Sequence, residues 1–190
     1  MPSPRRQINR GPAAAGENRA AILAAARRVF AEQGYHAPLY KIAKEAGLGQ
    51  GVLYRHFPNR LALGFAVFEE NFVELREVSS RDDAGALEEL WARLLDLTIT
   101  DAAFVEMFVD ARRATADYDG AERLVALLEP ALGRARAAGR VDPELTMADL
   151  LLAHRMVFGV VATAEDEAAA RVAVAAATAL IPRLPPAPRA

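Results

Sequence analysis

An all-α fold is the reading this sequence supports, and three observations carry it. Apolar residues recur at steps of three and four through most of the 190 residues, the spacing of one helix face. No stretch of any length alternates apolar with polar residues as a half-buried strand would, and no internal repeat is found. Capping residues, glycines and prolines punctuate the chain into about nine such segments.

Residues 1–16 mix Pro, Arg, Gly and Ala without periodicity and read as a disordered basic arm. Two roles are open for Arg5, Arg6 and Arg10: reaching a groove of nucleic acid, or none. Asn18 is placed to cap the first helix, whose Ile22, Ala26, Val29 and Phe30 share a side, and Gly34 closes it. Pro38 suits the first turn of the second helix. Its apolar face is Ile42, Ala43 and Ala46, and Gly47 turns the chain where a Cβ is expected to find no room. Leu48 plugs the space between the two helices. Gln50 to His56 makes the third, burying Val52 or Leu53 together with Phe57 and stopped by Pro58. Gln50, Tyr54, Arg55 and His56 are left outward, and such a set can donate to phosphates and to base edges.

The run AGLGQGVLYRHFPNR, with its alanine-glycine turn and its leucine-tyrosine-x-histidine-phenylalanine segment, resembles the TetR-type bacterial transcriptional regulators. The resemblance covers about residues 19–72; beyond that only helical pattern and chain length agree. It implies a three-helix helix-turn-helix DNA-binding domain over residues 17–60, a helical effector-binding and dimerisation domain over 61–182, and a disordered tail over 183–190. Carried over position by position, it implies DNA contact by Gln50, Gly51, Val52, Tyr54, Arg55, His56 and Arg60, with Arg19, Tyr40, Lys41 and Lys44 as further backbone contacts. Gln50 and Arg55 are expected at base edges, since glutamine pairs with adenine and arginine with guanine; Tyr54, His56 and Arg60 are expected at phosphates. The chain departs from the pattern in three places. Ala37, Pro38 and Leu39 stand where relatives carry a capping threonine or serine, one residue fewer separates Gly34 from Ile42, and Val52 replaces a common threonine. Valine offers only apolar contact, as to a thymine methyl.

Asn59 is a cap for a long fourth helix with Leu61, Phe65, Phe68, Phe72 and Leu75 on one stripe. Asp82 or Asp83 caps the next, which carries Leu87, Leu90, Trp91, Leu94 and Leu97. Asp101 opens a sixth with Phe104, Met107, Phe108 and Ala111, fraying over residues 115–120. The seventh holds Leu124, Leu127, Leu128 and Leu132, is kinked by Pro130 and ended by Gly139. Thr146 and Asp149 form a capping box for the eighth, and Asp166 starts the ninth, which Pro182 ends. The last two helices, about residues 146–181, are short-side-chained enough to approach closely, and they are the expected four-helix interface of a homodimer.

The apolar groups with polar handles that would line an effector pocket are Trp91, Phe104, Met107, Phe108, Tyr118, His154 and Phe158. His154 shares a face with Leu150, Val157 and Phe158 and has three roles open: ligand handle, interface residue or hydrogen-bonded core histidine.

Charge divides the chain. Residues 1–60 hold ten Lys or Arg against three Asp or Glu, net +7; the remainder holds thirteen against twenty-two, net −9. A basic first third suits phosphate contact, and an acidic remainder does not lie on DNA. A hydrophobic fraction of 53% supports a sizeable core. With no cysteine there is no disulfide or thiolate metal site. The longest uncharged apolar runs, 156–164 and 172–182, fall short of the ~18 residues needed to cross a bilayer, and with arginines but no apolar h-region in the first residues no signal peptide is expected; a cytoplasmic location is expected. No Glu-x-x-His pair, phosphate loop, zincin motif or nucleophile elbow occurs, so no catalytic residue, metal or cofactor is expected. The expected function is a dimeric repressor that binds a near-palindromic operator and is released by a small molecule. The alternatives are an activator or helical interaction module with the same head, and an all-α enzyme, for which Asp101, Glu106 and Asp110 form an acidic edge at helical spacing, the pattern of a solvated face.

Overall fold

The computed structural model describes residues 12–114, 120–181 and 183–185. Among them are nine helices: α1 Pro12–Gln33, α2 Leu39–Glu45, α3 Gln50–His56, α4 Arg60–Ser80, α5 Ala86–Thr100, α6 Ala102–Ala114, α7 Gly120–Ala137, α8 Met147–Thr163 and α9 Glu167–Ala179. They fall into two compact units, Met1–Val67 and Phe68–Ala190. The arm residues Arg5, Arg6 and Arg10, the expected fraying segment and Tyr118 lie outside the described residues.

In the first unit α1, α2 and α3 pack pairwise on one another. Their shared core is the set expected from periodicity, with Ile22, Ala26, Val29, Phe30, Ile42, Ala43, Leu53 and Phe57 all buried. Leu53, not Val52, is the inward residue of α3; Val52 is half-buried. Helix α1 begins at Pro12, ahead of Asn18, which lies inside it. Proline is suited to a first turn, and the alanines that follow are the strongest helix formers, so the helix extends through residues 12–16 of the expected arm.

Two turns carry the head. After α2 the Leu48 N–H reaches the Ala43 carbonyl at 2.9 Å and the Gly47 N–H reaches that of Lys44 at 3.0 Å, closing the helix end with Gly47 in left-handed backbone, φ 67°. The reason for glycine here is that φ. A Cβ on Gly47 would meet nothing within 4 Å, which corrects the expectation of a steric exclusion. Between α1 and α2 the Gly34 N–H bonds the Phe30 carbonyl at 2.9 Å with φ 76°, and Pro38 occupies the position just before α2, in extended backbone and without a side-chain cap.

In the second unit α5 packs against α6, α7, α8 and α9, and α8 contacts α6, α7 and α9. Leu87, Leu90, Trp91, Leu94, Leu128, Leu132, Leu150, Val157 and Val174 belong to one continuous core. The predicted starts hold at four helices. Asn59 Oδ1 accepts the Ala62 N–H at 2.8 Å, Asp101 Oδ1 that of Phe104 at 3.0 Å, and Asp166 Oδ1 that of Ala169 at 2.8 Å. Thr146 and Asp149 complete the reciprocal capping box. Helix α5 differs: Gly85 precedes it without a side-chain cap, and Asp83 Oδ1 accepts the Gly85 N–H at 2.9 Å instead, a turn of the Asx kind. Helix α7 continues through Pro130, and Gly139 ends it at φ 65°. Along α4 the expected stripe is only partly inward. Leu63 and Val67 are buried near its start and Phe68, Leu75 and Val78 further on, because its two ends belong to different units. No described helix is long and apolar enough to cross a membrane.

Candidate nucleic-acid interface

Helix α3 is a seven-residue segment fixed from beneath by Leu53 and Phe57, each at most 2% exposed. Gln50, Gly51, Tyr54 and Arg55 are exposed and His56 is half-buried. Tyr54 is 49% exposed, so it does not simply pack against its neighbours. None of these side chains has a resolved hydrogen bond, and a donor without an internal partner is available to an external one. Gly51 has open space where a Cβ would stand, which leaves the backbone of this helix bare on its outer side.

The flanking residues divide by what they already hold. Arg19 is exposed with its guanidinium carbon 4.6 Å from the centre of the Phe57 ring, beside the C-terminal end of α3. Lys44 and Tyr40 are exposed, and Lys41 donates to Gln33 Oε1 at 2.6 Å. Arg28 and Glu45 pair at 3.0 Å, a surface link between α1 and α2 worth ~1 kcal/mol at most. Arg60, expected at phosphate, is engaged within the head. Its Nη1 donates to the carbonyls of Tyr35 and Ala37, the latter at 2.6 Å, while its guanidinium carbon lies 5.6 Å from the Tyr35 ring centre. Those two carbonyls belong to the turn before α2, which has no side-chain cap, and the forked arginine satisfies acceptors that the turn leaves open.

Of the candidate effector residues, Trp91, Phe104, Phe108, His154 and Phe158 come together as one aromatic cluster. Trp91, Phe104, Met107 and His154 are each at most 3% exposed. Phe108 stacks on Phe158 with centroids 4.7 Å apart, His154 meets Phe158 edge-on at 4.7 Å, and Trp91 meets His154 at 6.5 Å. Trp91, Phe104, Met107 and His154 therefore fill their own space. Thr98 Oγ1 donates to the Leu94 carbonyl at 2.8 Å, leaving its oxygen to accept from His154 Nε2 at 3.2 Å. Burial alone pushes the His154 pKa down to about 3, because a charged imidazole is not solvated there.

Beside this cluster, between α6 and α8, opens a groove of about 480 Å³, of whose lining the sequence singled out only Phe108 and Phe158. Phe108, Val109, Arg112 and Arg113 line it from α6, and Arg155, Phe158, Gly159 and Ala162 from α8. The spacing 155, 158, 159 and 162 is one helix face, and that regularity was the signal available in the sequence.

A three-helix head with a glycine turn between its second and third helices, on the same chain as a larger helical bundle, has the helix-turn-helix arrangement. The model of the bacterial regulatory proteins, tetR family, matches residues 22–67. The fatty acid metabolism regulator protein of Bacillus subtilis is 38% identical over 73 residues, 36% of this chain and 38% of that protein. The transcriptional activator FasR of Mycolicibacterium smegmatis is 43% identical over 56 residues, 29% and 26% of the two chains. The matched stretch thus spans well under half the length of these relatives. A crystal structure of the TetR transcriptional regulator SCO0520 from Streptomyces coelicolor superposes with a TM-score of 0.58 at 28% identity, covering 88% of this chain and 98% of that one. Residues 22–67 thus match the tetR family of bacterial regulatory proteins, and over most of its length the chain is similar in fold to a TetR transcriptional regulator.

Proposed function

We propose that this protein is a ligand-responsive transcriptional regulator, a repressor that grips a near-palindromic operator as a homodimer. The observation that carries this reading is the outer face of α3, where Gln50, Tyr54 and Arg55 stand exposed on a helix held from below by Leu53 and Phe57. Gln50 and Arg55 read base edges in the major groove. Tyr54, His56, Arg19, Tyr40, Lys41 and Lys44 hold the backbone, Val52 contributes an apolar contact, and Gly51 admits close approach. Arg60 is assigned to shaping the head rather than touching phosphate.

Two heads reach one face of a duplex when their recognition helices are spaced one turn of DNA apart, ~34–36 Å, which a two-fold dimer provides. The pairing surface is assigned to α8 and α9. Their outer sides carry Leu152 at 55% exposure, Met156 at 44% and Val172 at 69%, large apolar groups that association would cover. A small molecule in the second unit acts by binding one dimer geometry better than another.

A mobility-shift assay with the intergenic DNA beside the gene tests the reading. The expected result is a specific shift at nanomolar to micromolar protein, competed by the same DNA and not by unrelated duplex. Equal affinity for every duplex of the same length would sink it.

A further inference from the structure

We propose that the groove between α6 and α8 binds an amphipathic organic anion, an acidic head group on an apolar tail. This deepens the effector reading given above and rests on it. Three observations converge. The floor is apolar, made by the stacked rings of Phe108 and Phe158 at 4.7 Å. The rim holds three exposed guanidinium groups, Arg112 and Arg113 from α6 and Arg155 from α8, and among the described residues no carboxylate lines it. Among the described residues none of the three arginines forms an ion pair or a hydrogen bond. By contrast Arg81, Arg123, Arg140 and Arg171 of the same unit are all paired with acids.

Cations in the last turn of α6 complement the dipole of that helix, and this alone would account for Arg112 and Arg113. It does not account for Arg155. That residue sits in the middle of α8, one turn before Phe158 and Gly159, facing the same groove as the α6 pair. Residues 61–190 carry a net −9, so an all-basic rim in this part of the chain runs against its surroundings. Unpaired arginines present forked donors suited to carboxylate or phosphate oxygens. The volume, about 480 Å³, lies within the ~300–1,000 Å³ usual for small-molecule sites, and the aromatic floor takes the tail. His154 and Trp91 continue inward from Phe158, which ties the floor to the core of the bundle.

Isothermal calorimetry on the full chain, without DNA, tests this with three ten-carbon probes below their micellar concentrations: decanoate, decyl phosphate and 1-decanol. Decanoate is expected to bind and 1-decanol to bind at least about tenfold more weakly, as loss of charge-assisted hydrogen bonds requires. The double substitution Arg112→Ala with Arg155→Ala is expected to weaken decanoate by about tenfold or more while leaving 1-decanol within about threefold. Gly159→Leu, at a position where a Cβ meets nothing within 4 Å, is expected to block every probe by filling the groove. Decyl phosphate binding with decanoate marks a general anion site, and its failure narrows the head group to carboxylate; either supports the site. Absence of decanoate binding overturns the proposal, as does alcohol binding as tight as decanoate, or either variant titrating like the wild type. A chain that binds decanoate but no operator would sink the regulator reading alone, and one that shifts DNA but ignores decanoate would sink this site alone.

Discussion

The guanidinium of Arg60 lies over the ring of Tyr35 and donates to that residue's own carbonyl, so one side chain at the start of α4 fastens the turn that delivers α2. Removing it leaves the carbonyls of Tyr35 and Ala37 without this donor, at a cost of ~1–3 kcal/mol. Arg60→Ala is therefore expected to lower the midpoint of denaturant unfolding and to weaken all DNA sequences alike. The salt dependence separates this from a phosphate contact. A lost phosphate contact reduces the slope of log K against log salt by about one, whereas a lost clamp leaves the slope unchanged. Arg60→Lys is expected to recover only part of the stability, because an ammonium does not fork.

On α3 the roles divide by chemistry. Gln50→Ala and Arg55→Ala are each expected to cost ~1–3 kcal/mol against the preferred base and to flatten discrimination at one operator position. Lys44→Ala is expected to weaken every sequence equally. Binding measured against a panel of single-base operator variants checks this, and uniform losses for all three substitutions would overturn the base-edge assignment.

Much of the fold was legible from residues alone, because its signals are local. Gly47 before Leu48, the apolar steps of Ile22 to Phe30 and the caps at Asn59, Asp101, Thr146 and Asp166 each act within a turn of their own position. What escaped the sequence depends on distant partners. Arg60 looks like any basic residue in a first helical turn until the carbonyls of Tyr35 and Ala37, more than twenty positions earlier, are seen beside it. The effector candidates were found as a cluster, yet Trp91, Phe104 and Met107 turned out to fill the space they were expected to line. Aromatic residues at helical spacing mark a core equally well, and only the groove at Arg112, Arg113 and Arg155 shows where space remains.

The two glycines of the hairpin are expected to respond oppositely to alanine. Gly47 holds φ 67°, so Gly47→Ala places a Cβ in the left-handed region at ~1–2 kcal/mol and lowers the unfolding midpoint. Gly51 lies inside α3 with open space around it, so Gly51→Ala stabilises the helix by ~0.5–1 kcal/mol. The added methyl stands on the outer face, and operator affinity is expected to fall although stability rises. Thermal unfolding and a mobility shift on the same two preparations read both effects.

His154 sets a pH dependence whose sign follows from burial. Its folded pKa, about 3, is below the ~6.5 of an unfolded histidine, so between these values the unfolded chain binds the proton and the folded chain does not. Its contribution is fully present above about pH 6.5 and is lost as pH falls toward 3, by up to ~1.4 kcal/mol per pH unit within the window. Urea unfolding at pH 5 and pH 7.5 is expected to show a smaller difference for His154→Gln than for wild type. Equal differences would mean that His154 is solvated in the folded state.

The assignment of the pairing surface is tested on α8 without touching the core. Leu152 and Met156 are one turn apart and both largely exposed, whereas Leu150, Ala153, His154 and Val157 on the same helix are buried. A carboxylate at position 152 costs the folded subunit little, since it faces water, but two-fold symmetry would bring it into an apolar interface twice, uncompensated. Leu152→Glu is therefore expected to convert the dimer to monomer in sedimentation velocity at micromolar concentration while the far-ultraviolet helical signal stays unchanged. Operator affinity is expected to fall by a hundredfold or more, on the order of 3 kcal/mol, because one head alone covers one half-site. Leu152→Met, which keeps the apolar contact, is expected to remain dimeric. A Leu152→Glu protein that still sediments as a dimer would move the interface away from this face of α8.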